Sequence, residues 1–180
     1  MIAHVIACFI GYAAFAIAFG ISIMYLFKIR DAEGNSVLME RFPAPNVLEE
    51  LNHQMVMLGF LFLSVGIITG AVWANSAWGR YWGWDPKETW ALIADLGFIA
   101  ILHARYIGWL KDFGLLLCST IAFLLVILAW YGVNFILAAG LHSYGFSSGG
   151  ATMVSVYVGF QFIVLIVASL RKKDFLKTES

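Results

Sequence analysis

The chain has 180 residues, 62% hydrophobic and 12% charged, with 11 basic and 11 acidic side chains and a mean hydropathy of +0.86. A soluble domain averages about 45–50% apolar and about 25% charged residues, so this composition describes an integral membrane protein and excludes a water-soluble globular one. The balanced charge offers no footprint for nucleic acid, and Cys8 and Cys118 both sit in apolar runs without CxxC spacing, so no disulfide framework or thiol-redox motif is read.

Five apolar runs approach the roughly 20 residues that a spanning helix needs. Residues 2–27 form the first; it has no basic n-region and no small-residue cleavage site, so it is not read as a cleaved signal. A link at 28–53 follows, ending in the polar stretch EELNHQM that carries His53. The second span is 54–74. It runs into WANSAWGRYWGWDPKETW, where Trp73, Trp78, Trp82, Trp84 and Trp90, five of the seven tryptophans, stand among Arg80, Asp85, Lys87 and Glu88. The third span, 89–109, is interrupted by Asp95 and His103, and a link at 105–112 leads to the fourth span, 113–138. Residues 139–150 contain His142, the fifth span is 151–170, and 171–180 is a basic tail. A spanning barrel would show segments of about ten residues alternating in polarity. These runs do not alternate, so the expected fold is an all-α membrane domain of about five helices.

With alternating spans, Lys28, Arg30, Arg41, Arg105, Lys111, Arg171, Lys172, Lys173 and Lys177 share one side, and Arg80 and Lys87 lie on the other. Basic residues concentrate on the cytoplasmic side. The links 28–53 and 105–112 and the tail 171–180 are therefore expected inside, with the Trp-rich segment 75–90 outside. His4 and His142 join that segment on the outer side, and His53 faces the cytoplasm. His103, about 14 residues into its helix, lies about 21 Å deep, in the inner half of a core about 30 Å thick.

Two readings compete for the Trp-rich segment. Tryptophan anchors helices at membrane interfaces, but a belt places one or two per helix end and requires no Asp-Pro. The alternative is an aromatic shelf for a large planar ligand, with Arg80 and Lys87 available to carboxylates. Two imidazoles approaching from opposite sides hold a haem iron, and His4 and His142 share the side of the shelf. An ionisable residue within the membrane is by default a functional site facing the bundle interior, which applies to His103. Glu88 and Asp95 either line a polar track from the shelf or, for Asp95, bond a neighbouring helix.

The stretch WGRYWGWDPKE, residues 78–88, resembles the tryptophan-rich WWD signature, W-G-x-aromatic-W-x-W-D-P-[KR]-E, of the haem-handling proteins of cytochrome c biogenesis, and meets it at every position. HVIACFIGYAAF, ITGAVWANSAWG, LHARYIGW and GLHSYGF resemble the CcsA (ResC) branch of the system II cytochrome c synthase. The resemblance implies that haem b is a transported ligand, presented outside the membrane so that the Cys-x-x-Cys-His thiols of apocytochrome c add to its vinyl groups. It makes His4 and His142 the outer axial ligands, and His103 part of an intramembrane haem site whose second histidine comes from a CcsB (ResB) partner, in some members fused in one chain. Trp78, Trp82, Trp84, Asp85, Arg80 and Lys87 are the expected haem contacts, and no separate catalytic residue is expected. Family members have further helices ahead of the one that begins near His4, so the chain is expected to correspond to a C-terminal core. The implied membrane is the bacterial inner membrane or the plastid thylakoid. A haem exporter of the CcmC type, which presents haem without joining it to protein, is the alternative. An electron-carrying cytochrome b subunit is more remote, because no helix carries two histidines.

Overall fold

The computed structural model of the protein describes residues 1–30, 40–137, 152, 155–164 and 166. Among these residues every regular element is a helix. Helix α1 is Ile2–Arg30, α2 is Pro45–Trp78, α3 is Pro86–Tyr106 and α4 is Asp112–Ile127, which continues as a π-helical segment Leu128–Leu137. A fifth helix, α5, is Ser155–Val164. Three of the described helices are long and apolar enough to cross a membrane: Ile2–Ile29, Pro45–Trp78 and Asp112–Tyr131. At 21 residues α3 is about 32 Å long, but Lys87, Glu88, Asp95 and Arg105 make it more polar than the others.

The core begins with an antiparallel seam between α1 and α2. Residues 4, 8, 11, 15, 18 and 22 of α1, and 52, 56, 59, 63, 66 and 70 of α2, follow alternating steps of four and three, which keep one face of a helix toward a neighbour. The register pairs large groups with small ones. A Cβ added to Gly70 would lie 2.7 Å from His4 Nδ1, one on Gly66 2.6 Å from Cys8 Sγ, one on Gly11 3.0 Å from the Leu63 nitrogen, and one on Gly59 2.5 Å from Phe15 Cε1. Small residues let membrane helices approach closely where lipid supplies no hydrophobic drive. Towards the other end Asn52, fully buried, donates from Nδ2 to the Ala18 carbonyl at 2.8 Å, with Ser22 Oγ at 3.0 Å and Ser119 Oγ of α4 at 3.3 Å. That polar node fixes the register, because a shift would strand a buried amide.

Helices α3 and α4 close the bundle. Phe98 of α3 stacks on Phe15 with centroids 3.7 Å apart, and Phe123 of α4 on Phe19 at 5.0 Å. Ser64 Oγ of α2 donates to Asp95 Oδ2 at 3.1 Å, with Oδ1 at 3.2 Å. Asp95 thus takes a hydroxyl partner on a neighbouring helix, the second of the two alternatives for it. Arg105, at the end of α3, bridges Glu49 and Glu50, at the start of α2, at 2.9 Å each. On α5, Gln161 is buried, donates to the Thr120 carbonyl and accepts from Tyr157 Oη at 3.1 Å.

Helix ends differ from the expected spans for local reasons. Helix α2 starts nine residues before 54 because Pro45 suits the first turn, where no N–H partner is needed, and because Leu48 and Asn52 are fully buried. It runs on through 75–78 until Gly79, at φ +72°, ends it with an N–H bond to the Asn75 carbonyl of 2.9 Å. Helix α3 stops at Tyr106 in a Schellman motif: Trp109 N–H bonds the Ala104 carbonyl at 2.8 Å, Gly108 N–H bonds Arg105 at 2.9 Å, and Gly108 takes φ +78°. His142 and the link 139–150 lie outside the described residues.

Candidate functional site

At the end of the bundle where α1 begins, α1, the C-terminal turns of α2, the α2–α3 loop, the first turn of α3 and Trp130 surround a cavity of about 340 Å³. Ligand pockets run from about 300 to 1,000 Å³, so this one is at the small end. His4, Cys8 and Tyr12 line it from α1, one helical turn apart. Trp73 comes from α2, Tyr81 and Trp82 from the loop, and Lys87 and Glu88 from α3. The aromatic residues make a wall that suits a flat apolar ligand, and His4 and Lys87 are its polar handles.

The geometry fixes the state of His4. Its Nδ1 lies 2.7 Å from the Gly66 carbonyl oxygen. A carbonyl only accepts, so Nδ1 carries a proton, and in the neutral ring Nε2 keeps the lone pair that a metal needs. Cys8 Sγ sits 3.6 Å from the same nitrogen, within reach for sulfur, where it is a second, weaker acceptor for the same proton. Gly70 leaves the space that the ring occupies. A histidine whose other nitrogen is held by a backbone carbonyl has the tautomer and orientation of a metal ligand set in advance.

The Asp-Pro-Lys-Glu part of the signature has a structural task. Asp85 is buried and caps α3: Oδ1 accepts the Lys87 N–H at 2.9 Å, while Glu88 Oε2 accepts the Asp85 N–H at 3.2 Å and the Gly83 N–H at 2.8 Å. This capping box, with Pro86 at the first helical position, ties the Trp-rich loop to the helix that presents Lys87. Burial pushes the Lys87 ammonium below its usual range, while Asp85 and Cys8 pull it back up. Asp85→Ala should remove about 1 kcal/mol of capping, up to about 2 kcal/mol in tight sites. Faster amide hydrogen exchange over residues 83–89, with the seam between α1 and α2 unchanged, is the expected readout; unchanged exchange over 83–89 would contradict the capping role.

The remaining expected contacts are dispersed. Trp78 packs edge-on against Trp73, centroids 5.0 Å apart, and is not in the cavity wall. Trp84 is 70% exposed, takes φ +56° and meets Trp82 edge-on at 5.8 Å. Arg80 is exposed, with its guanidinium where a Gly83 side chain would be. His103 is exposed on α3, 15 residues beyond Glu88 and so about 22 Å along the axis. The structure therefore joins His4, Trp82 and Lys87, gives Asp85 a cap, and sets Trp78, Trp84, Arg80 and His103 apart from the cavity. Sequence reasoning missed Cys8, Tyr12, Tyr81 and Trp130 as wall residues. Helical spacing from His4 would have found Cys8 and Tyr12, whereas no local signal connects Trp130, which comes in from the π-helical segment.

Comparison with known proteins places the chain in a family. A family described as "Cytochrome C assembly protein" matches residues 1–142. The cytochrome c biogenesis protein CcsA of Chlamydomonas reinhardtii is 43% identical over 144 residues, 79% of this chain and 40% of that protein. CcsA of Prochlorococcus marinus (strain MIT 9301) is 39% identical over 171 residues, 83% of this chain and 55% of that protein. CcsA of Synechococcus sp. (strain JA-3-3Ab) is 51% identical over 108 residues, 59% and 31% of the two. The chain spans about half the length, or less, of these relatives. It belongs to the cytochrome c assembly protein family and is of the CcsA type.

Proposed function

We propose that this chain presents haem b, as a substrate, for covalent attachment to apocytochrome c on the outer side of an energy-transducing membrane. The observation that carries the reading is the His4 imidazole, held by the Gly66 carbonyl so that Nε2 is left for a metal, in a cavity walled by tryptophan and tyrosine. Among the described residues no group of three or more His, Cys, Asp and Glu could hold a bare metal ion. A single prearranged imidazole suits instead an iron that brings four ligands of its own. His142 is the proposed opposite ligand.

The work of the chain is positioning. The attachment adds the S–H of each client cysteine across a vinyl C=C: an S–C bond forms, the proton goes to the other vinyl carbon, and no electrons are exchanged. Holding haem by the iron, with its edge open to the client, makes that step effectively intramolecular, which supplies up to about 7–11 kcal/mol in the best cases. The exposed His103 on α3 is the proposed contribution to an intramembrane haem site completed by a CcsB (ResB) partner, with the tail and the link 28–53 inside. The relatives' source organisms favour a cyanobacterial-type inner membrane or a thylakoid.

Expressed with a CcsB-type partner, the wild-type complex should copurify with haem and mature a reporter cytochrome c. His4→Ala and His142→Ala should each lower the haem content several-fold and reduce maturation to background, with partial recovery on adding imidazole. Normal maturation by both variants would sink the outer-ligand assignment. Haem transfer to a carrier protein with none to an apocytochrome would point to a CcmC-like exporter instead.

A further inference from the structure

Trp84 is held in an unfavourable conformation and shown to solvent. Its φ is +56°, in the left-handed region that a bulky side chain rarely takes. Its ring is 70% exposed, so burial of that side chain does not offset the strain. Gly83, which would tolerate a positive φ, does not take one. Glu88 supplies the reason. Its Oε2 accepts the Gly83 N–H at 2.8 Å and the Asp85 N–H at 3.2 Å, the two amides on either side of Trp84. Pinning both amides to one atom fixes the backbone of the residue between them.

Strained residues persist where the surrounding structure over-determines them, and they cluster at functional sites. Three exposed side chains share this loop: Arg80, Trp84, and Tyr81, which is 60% exposed. Trp, Tyr and Arg are the residue types that carry most binding energy in protein interfaces. The surface is continuous with the cavity. Tyr81 lines the cavity as well, and Trp84 meets the wall residue Trp82 edge-on at 5.8 Å. A tryptophan that anchors a helix end in lipid needs no left-handed backbone to display it.

We infer that Arg80, Tyr81 and Trp84 form a docking surface for the extended Cys-x-x-Cys-His segment of apocytochrome c. This rests on the haem-presenting reading for the identity of the client. An unfolded segment brings apolar side chains for the two rings and backbone carbonyls for the guanidinium. Docked there, it lies at the rim of the cavity that His4 lines. Trp84 then serves the client and not the haem, in keeping with its place outside the cavity wall.

The test is the binding, read by anisotropy, of a labelled, reduced peptide with one Cys-x-x-Cys-His motif. The receptor is the full chain with a CcsB-type partner in detergent micelles, and haem is titrated separately. Trp84→Ala and Trp84→Gly should each weaken the peptide about tenfold or more, the loss of an interface hot spot. Both should change haem affinity less than threefold. Trp84→Gly relieves the left-handed backbone, so its melting temperature should equal or exceed that of wild type, which separates docking from folding. His4→Ala should do the reverse, losing haem and keeping the peptide. Equal losses of haem and peptide in Trp84→Ala would make Trp84 a haem contact and overturn the docking surface. Unchanged peptide affinity in both Trp84 variants would overturn it too, and Trp84-dependent quenching by lipids brominated near the headgroup would then identify a membrane anchor. Peptide binding through Trp84 without thioether formation would keep the docking surface and overturn the attachment reading.

Discussion

Gly70→Ala should weaken haem binding about as severely as His4→Ala while leaving the helices folded. A methyl at position 70 would lie 2.7 Å from His4 Nδ1 and 2.8 Å from Cε1, closer than a methyl carbon stands to a non-bonded atom. The imidazole is a side chain and can rotate away, so the fold survives. The rotation breaks the 2.7 Å bond to the Gly66 carbonyl, and with it the tautomer and the aim of Nε2. Second partners of this kind are worth about 10–100-fold in metal affinity, and a displaced ring adds to that. Haem titration would show at least a tenfold loss in Gly70→Ala, with helical circular dichroism unchanged. Because a methyl removes no ligand, unchanged affinity would mean that His4 does not reach the iron in the orientation seen here.

Gly59→Leu should have the largest effect on folding. The position faces Phe15 at the closest approach of α1 and α2, where even a Cβ comes within 2.5 Å of the ring. Phe15 cannot yield: it is fully buried and stacked on Phe98 at 3.7 Å. Overpacking a membrane core costs about 1–3 kcal/mol, and more where neither neighbour moves, so the upper end applies. Little folded protein should be recovered in mild detergent, and Phe15→Ala combined with Gly59→Leu should recover part of it by exchanging large for small across the seam. Wild-type yield and thermal stability in the single variant would contradict the register described here.

The same two positions show what the sequence could carry. The alternating four-and-three steps at 4, 8, 11, 15, 18 and 22, and at 52, 56, 59, 63, 66 and 70, are each readable along their own helix. Which positions meet across the pair is a tertiary fact: only with both helices placed does His4 fall on Gly70 and Phe15 on Gly59. The membrane class and the apolar runs were legible because lipid demands long apolar helices. Their ends were less so. Hydropathy stops at about residue 54, whereas α2 begins at Pro45, because Glu49, Glu50 and Asn52 are polar yet helical, each bonded to a partner on another helix.

The signature segment was partly legible for the same reason. Its tryptophans and charges stood out as a group, but composition cannot divide them by task. The spacing of Asp85 and Glu88 was in itself a capping box; the structure gives both acids to the backbone, and Trp82, Lys87 and Glu88 line the cavity while Asp85 does not. Trp78, Trp84 and Arg80 belong to the same eleven residues and lie outside the cavity wall. Chain proximity within a loop does not place side chains on one face, and the turn at Gly79, with Trp84 at φ +56°, redistributes them.

The central claim is that His4 ligates haem iron through Nε2. Electron paramagnetic resonance of the purified, oxidised, haem-loaded protein tests it most directly. Two imidazole ligands give a six-coordinate low-spin iron, and His4→Ala should convert that signal to a high-spin one that returns to low spin on addition of imidazole. A low-spin signal unchanged in His4→Ala would contradict the claim.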